Sequence, residues 1–415
     1  MKNHVNRFNF TCLFSHKLQK HTWAQLPFNA LSAHDRVVVF SLFFVGRKAM
    51  VIFMNKYKVA VYAICKNEEN FVDRWMDSMS EADAIYVADT GSSDGTVKKL
   101  QDRGAIVNEI RVVPWRFDEA RNISMSFIPE DFDICVCTDL DEVFENGWRT
   151  LLENAWTEHT TRLSYMFTWS FNDDGTPGVT FWQEKTHARD GFQWVHPVHE
   201  VLKYSGKRPD VYAKEGRIHL NHYPDKTKSR GQYLELLELS VQESPDDDRN
   251  MHYLGREYMF YKKWNKCIET LKKHLSLPTA TWKDERSASM RYIARAYREK
   301  NNMQEARRWL YRAIGETPYL REPYVEMARL AYAQSDWSGV VHMAEEALKI
   351  KERPQSYINE GFCWDHTIYD LAAIACYNLG LYEKALSFAK IAADMSPQNE
   401  RLQKNLELIQ AKQPS

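Results

Sequence analysis

The chain has 415 residues, 44% of them hydrophobic and 27% charged, which is enough apolar material for two or three packed domains and too much for a disordered chain. Fifty-five Lys and Arg stand against 56 Asp and Glu, a net charge of −1, so no global field recruits nucleic acid or an anionic membrane and any binding site must be local. Seven cysteines without a CxxC pair point away from a disulfide framework or a zinc ribbon and toward a reducing, cytoplasmic setting.

The first 54 residues mix His, Asn, Phe and Lys without a helical or strand period. They run into an apolar patch, Val37 to Met54, that is broken by Gly46, Arg47 and Lys48 and lacks the roughly 18 to 20 uninterrupted apolar residues a spanning helix needs. A weak membrane anchor, a signal-like segment and an upstream extension from a misplaced start codon are the open readings of residues 1–54; no small-residue cleavage site follows an apolar core, and Met54, which directly precedes a clean strand signal, favours the extension. KVAVYAIC, from Lys58, is a β-branched apolar run. Phe71, Val72, Trp75, Met76 and Met79 then recur at helical spacing. Ile85 to Ala88 gives a second strand, closed by Asp89 and the turn-rich GSSDGT, after which a helix runs to Gly104. Ala105 to Ile110 is a third strand. Asp133 to Thr138 is a fourth, ending in Asp139, Leu140, Asp141 and Glu142. Strands alternating with helices predict a mostly parallel, doubly wound sheet whose ligands bind beyond the carboxyl ends of the strands, where both acidic clusters lie.

After Arg162 the aromatics Tyr165, Phe167, Trp169 and Phe171 alternate with smaller residues up to the turn at Asn172 to Gly175, which predicts a hairpin. From Gly231 helical periods dominate. Gly255, Tyr258 and Cys267 fall in one register; Ala294, Tyr297, Ala306 and Pro318 fall in the next; Ala328, Ala344 and Ala347 form a third; and Ala372, Gly380, Tyr382, Ala385 and Pro397 form a fourth, with uneven spacing toward the last. These registers resemble tetratricopeptide repeats, which implies an all-α solenoid with an extended concave surface.

Two constellations carry chemistry. Asp89 and its glycine-rich turn can offer a carboxylate and close backbone approach to a ligand, although any strand-to-helix turn uses the same residues. Asp139 and Asp141, one residue apart at a strand end, can grip a hard cation and leave positions open for diphosphate oxygens; an exposed pair of turn aspartates is the plainer alternative.

The order KVAVYAICKNEE, YVADTGSSDGT, FDEARN and ICVCTDLDE resembles the family 2 glycosyltransferases of GT-A fold over about residues 57–230. The resemblance implies an α/β GT-A domain over 55–230, followed by the tetratricopeptide-like solenoid over 231–415. It implies a nucleotide-diphosphate sugar donor, a UDP-sugar first among them, a divalent metal (Mn or Mg), the DXD motif, and an inverting single displacement. Carried over, Ala63, Asn67, Glu68 and Asp89 would hold the nucleoside, with Arg121 close by and Asp139 serving ribose and diphosphate. Asp139, Asp141 and His219 would hold the metal, with His222 competing for the third place. One departure is Thr90, where many members carry a second Asp. For the base that takes the acceptor's proton, Glu200 stands first, with Asp190 and His199 as competitors. The helices would dock a peptide, protein or saccharide acceptor, or a partner. The alternative is a non-catalytic repeat scaffold carrying a degenerate GT-A domain.

Overall fold

The structure, a computed structural model, describes residues 41–45, 48–52, 56–172, 174–225 and 231–412. The reading of residues 1–54 as an upstream extension falls almost wholly outside the described residues; within that stretch β1 (Ser41–Val45) and β2 (Lys48–Ile52) form an antiparallel hairpin, Ser41 opposite Ile52. By contact the chain parts at residue 56, and Tyr57–Ser415 is one compact unit. The secondary structure changes from strands to helices between His222 and Tyr233, but no contact boundary falls there. No helix of the described residues is long and apolar enough to cross a membrane.

Within the larger unit, β3 (Val59–Cys65) is buried along its whole length, as a central parallel strand covered on both faces must be. It feeds α1 (Glu69–Met79), whose Val72, Trp75, Met76 and Met79 make one buried stripe. Next come β4 (Ala84–Asp89), α2 (Thr96–Asp102), β5 (Ile106–Glu109), α3 (Phe117–Ser126) and β6 (Ile134–Cys137). These four strands stand in the order β5-β4-β3-β6 and are all parallel, so the sheet winds outward in both directions from β3 and the strand order reverses between β3 and β6. That gap is the topological switch point.

The second half of the sheet is mixed. β7 (Glu142–Phe144) and α4 (Trp148–Ala155) lead to β8 (Arg162–Thr168) and the antiparallel β9 (Thr180–Ala188), the hairpin expected from the aromatic alternation. β10 (Phe192–Val195) and β11 (Val201–Tyr204) pair only with each other, and β12 (Tyr212–His222) returns between β8 and β7. The sheet reads β5-β4-β3-β6-β9-β8-β12-β7, with β9 and β7 opposed to the rest.

The helical part begins with α5 (Tyr233–Glu243) and continues as four hairpins: α6 (Asp248–Phe260) with α7 (Trp264–Ser276), α8 (Lys283–Glu299) with α9 (Met303–Glu316), α10 (Glu322–Ala333) with α11 (Trp337–Lys349), and α12 (Thr367–Asn378) with α13 (Tyr382–Met395), closed by α14 (Glu400–Gln410). Each hairpin turns through three residues whose middle one is left-handed: Lys262 at φ 56°, Asn301 at 58°, Ser335 at 55° and Gly380 at 73°. One turn geometry used four times is what a stack of like repeats requires. Gly255 of α6 lies so near α7 that a Cβ there would stand 2.3 Å from Leu271 Cδ2, so only glycine lets the two helices cross this closely.

Between α11 and α12 the segment 350–366 interrupts the stack, which accounts for the uneven spacing of the fourth register. Ile358 and Cys363 are buried among the helices, Glu360 pairs with Arg291 (3.2 Å) and Arg295 (2.7 Å), and Tyr357 donates to Glu285 (2.6 Å). The sheet and helices meet through Phe117 on Tyr233, Phe181 on Tyr357, and Arg116 with Glu243 at 2.5 Å.

At the centre of the sheet a fully buried histidine is held neutral. His187 Nδ1 donates to the Ala188 carbonyl (2.7 Å), and Nε2 accepts from the Tyr62 hydroxyl (2.8 Å), which in turn accepts from Trp194 Nε1 (2.8 Å). Burial pushes the imidazole down to about 4 from an ordinary 6.5. Because the unfolded chain binds this proton more readily, the contribution to stability is complete above pH 6.5 and is lost as the pH falls from 6.5 through 4, about 3 kcal/mol in all. Denaturant unfolding between pH 7.5 and 4 should therefore lose one proton's worth of slope in His187→Gln relative to wild type; equal slopes would contradict the neutral assignment.

Candidate functional site

The carboxyl ends of β3, β4 and β6 bring the sequence candidates together in part. Ala63 is not among the binding groups: it lies fully buried within β3, and its carbonyl accepts from Ser124 Oγ (2.8 Å), so it can only shape the core. Asn67 and Glu68 lie just beyond the strand end and staple the neighbouring turn. The Asn67 amide, in a left-handed conformation (φ 54°), donates to Ser92 Oγ (2.9 Å), its side-chain oxygen accepts from the Ser93 amide (2.7 Å), and the Glu68 amide donates to Thr96 Oγ1 (2.7 Å). Asp89 does comparable work. Its Oδ2 accepts the amides of Gly91 and Ser92 (3.0 Å each), and its Oδ1 accepts the Ser92 hydroxyl and the Cys65 thiol. All four acceptor positions of the carboxylate are taken by its own turn, so here the structural role of this residue is filled before any ligand arrives.

The charged centre is built around Arg121. The acidic first turn of α3, Asp118 and Glu119, suits the helix N-terminus, and the buried face of that helix carries Arg121 into the switch point beside Cys137. There the guanidinium donates to Asp139 Oδ1 (2.8 Å) and to Glu200 Oε1. Asp139 Oδ2 accepts from Lys185 of β9 (3.2 Å), which also donates to Glu142 Oε1 (3.0 Å), while Glu142 Oε2 caps the Asp139 amide (2.9 Å). Glu200, Arg121, Asp139, Lys185 and Glu142 thus form one chain of alternating charge. Burial would raise the Asp139 carboxyl, but Arg121 and Lys185 hold it well below the ordinary carboxylate range. Burial likewise works against the Lys185 ammonium, and Asp139 with Glu142 keeps it charged; Glu142, the most enclosed of the carboxylates, is raised by burial. Lys185 was missed by sequence reasoning, because one lysine among TFWQEKTHA looks like the wet face of a strand.

Asp141 faces a histidine. His222 Nε2 lies 3.4 Å from Asp141 Oδ2, its Nδ1 is 3.1 Å from the Trp169 carbonyl, and its ring stacks on Trp169 at 4.5 Å. Burial opposes charge on this imidazole, but the Asp141 carboxylate and the Trp169 carbonyl raise it above the ordinary histidine value. The third metal position predicted at His219 is corrected accordingly. His219 is an odd number of residues from His222 on β12, so its side chain leaves the opposite face of the sheet, whereas His222 shares its face with buried Ile218 and Leu220. The metal role of Asp139 is corrected too: both its oxygens are engaged by cations.

The divalent ion that the resemblance implies fits two residues here. An imidazole whose other nitrogen donates to a backbone carbonyl, set 3.4 Å from a carboxylate oxygen, is the usual support of a metal ligand pair, and a hard cation held by so few protein groups takes its remaining positions from phosphate and water.

Asp190 is excluded as a base. It lies at the β9–β10 bend beside Ile134, where β6 begins, and antiparallel β9 carries it to the amino ends of the parallel strands. Six residues of extended chain separate that level from Asp139, about 20 Å. His199, the other competitor, stacks on Tyr253 at 4.1 Å, which leaves Glu200 as the candidate carboxylate at the charged centre. Of the aromatics, Phe192 and Trp194 are core, while Trp169 is 47% exposed beside the site.

No protein-family model and no curated protein matches the chain. Among solved structures it is similar to tetratricopeptide-repeat proteins: MamA (19% identity, TM-score 0.34, over 43% of this chain and 99% of that one), YrrB (12%, 0.35, over 43% and 84%) and PilF of Pseudomonas aeruginosa (12%, 0.34, over 43% and 72%). The helical part is a succession of four helix hairpins, and it follows a mixed sheet.

Removing the buried lysine should expose the tension in the charge chain. Lys185→Met leaves Asp139 and Glu142 facing each other and should cost about 3–5 kcal/mol of stability, of which Glu142→Gln in the double variant recovers part. Additive losses in a denaturant double-mutant cycle would contradict the coupling.

Proposed function

We propose that the chain is a metal-dependent inverting glycosyltransferase that moves a sugar from a nucleotide-diphosphate donor, a UDP-sugar first among them, to a peptide, protein or saccharide acceptor. One juxtaposition carries this reading: the Asp141–His222 pair stands beyond the carboxyl ends of β6 and β12, two residues along the chain from an aspartate held anionic between two buried cations. The four ordered motifs that resemble family 2 glycosyltransferases support the reaction class, and the parallel strands of the sheet support a ligand beyond their carboxyl ends.

Asp141 and His222 would hold the manganese or magnesium ion, which when bound neutralises the charge that grows on a departing nucleoside diphosphate. Arg121 and Lys185, each already paired with carboxylates, would hold Asp139 in place beside the same pair. Glu200, oriented by Arg121, is the carboxylate positioned to take the acceptor's proton. Trp169 offers an exposed ring at the edge of the site for an apolar sugar or side-chain face.

A second reading, a TPR-like interaction scaffold on an inactive sheet domain, is favoured by one observation: the carboxylates of Asp89 and Asp139 are engaged by the protein's own amides, hydroxyl and cations.

Release of nucleoside diphosphate from UDP-sugars should require manganese in the wild type. It should fall by more than about 100-fold in Asp141→Asn with little change in Tm, since the side chain carries little packing. Glu200→Gln should slow transfer by about 10²–10⁴-fold while donor binding persists. Metal-independent release, or none from any donor, would turn the account to the scaffold reading.

A further inference from the structure

Away from the sheet, three consecutive helices of the repeat layer point ligating side chains at one another. His252 of α6, His274 of α7 and Glu285 of α8 place one ligand atom each within 4.8 Å of the others, the only such group of three among the described residues. They are 1%, 0% and 3% exposed. A charged or polar trio buried to this degree needs partners, and only part of the need is met by protein.

The hydrogen bonds that exist hold the outer atoms of the trio. Ser289 Oγ lies 2.7 Å from His252 Nδ1 and 3.0 Å from His274 Nδ1, so one hydroxyl fixes both rings by the same nitrogen and leaves both Nε2 atoms to the cluster. Tyr357, from the segment that interrupts the repeats, donates to Glu285 Oε2 (2.6 Å) and leaves Oε1 directed inward. His274 Nε2 lies 3.3 Å from that Oε1, yet the two lack the alignment of a hydrogen bond and this buried nitrogen has no hydrogen-bond partner. Two ligands on one tetrahedral zinc, each about 2.0–2.1 Å from the metal, stand about 3.3 Å apart. The outer contacts to Nδ1 and Oε2 are the kind that orient metal ligands from behind. The cations that act on His252 are balanced elsewhere: Arg291 pairs with Glu360 at 3.2 Å, and Arg256 lies over the Tyr253 ring at 4.5 Å.

We propose that His252, His274 and Glu285 bind a structural zinc-type divalent cation through His252 Nε2, His274 Nε2 and Glu285 Oε1, with water in the fourth position, and that the ion pins α6, α7 and α8 together. The donor set, two imidazoles and one carboxylate, suits zinc over magnesium or calcium, which take oxygen. Nothing in this site depends on the activity proposed for the sheet.

Elemental analysis of untagged full-length protein after desalting should find one zinc per chain in the wild type and equally in Asp141→Asn, but none in His274→Gln or Glu285→Gln. Chelation should lower the Tm of the wild type. Refilling the stripped protein with cobalt should give the visible absorption of a tetrahedral site in the wild type, so the wild type decides even where a variant does not fold. Folded wild type without stoichiometric metal that also gives no cobalt spectrum would overturn the site and leave the trio as a proton-held network.

Discussion

A guanidinium buried to 5% exposure is the constraint around which the sheet half of this protein is arranged. Arg121 cannot lose its proton, and an unpaired charge at that depth would cost more than the fold can bear, so two carboxylates from distant parts of the chain must reach it. Asp139 comes from the end of β6, and Glu200 from the start of β11. The requirement therefore fixes the tilt of α3, the way the chain leaves β6, and the seat of the β10–β11 hairpin at once. Lys185 extends the same logic across β9 to Glu142. The outcome is a chain of alternating charge beyond the carboxyl ends of the parallel strands.

Much of this was legible before any coordinates. Alternation of apolar runs and helical periods foretold the four parallel strands, because strands buried on both faces leave an unbroken apolar signature in KVAVYAIC and ICVC. The strand-end position of Asp139 and Asp141 followed from the same runs. What escaped was whatever depended on direction and register in the mixed half. Asp190 sits in a plausible loop, but an antiparallel strand turns that loop to the wrong end of the sheet. His219 and His222 differ by three residues, so they take opposite faces of β12, but the pairing slips between Glu215 and His219, and counting along the strand could not say which face met Asp141. Lys185 had no signature, since its partners lie more than 40 residues away.

The helical half shows the opposite balance. Its repeats were readable from small residues at crossing points and from aromatics in register, and the four left-handed hairpin turns express the same periodicity in backbone form. The irregular spacing before the fourth register proves to be a segment laid into the stack and tied by Glu360 to Arg291 and Arg295, by Tyr357 to Glu285, and by Glu322 to the Trp364 indole. The segment therefore lies against α8 and the start of α10.

The central claim is that Asp141 and His222, set beside the Arg121–Asp139–Lys185 charge chain, form a cation-assisted site for a nucleoside diphosphate. Calorimetric titration of UDP, GDP and dTDP into the full-length protein, with and without manganese, tests it most directly. The account predicts binding of one nucleotide that requires manganese and disappears in a His222→Ala variant while persisting in His219→Ala. Binding that is indifferent to manganese, or lost in His219→Ala and kept in His222→Ala, would contradict it.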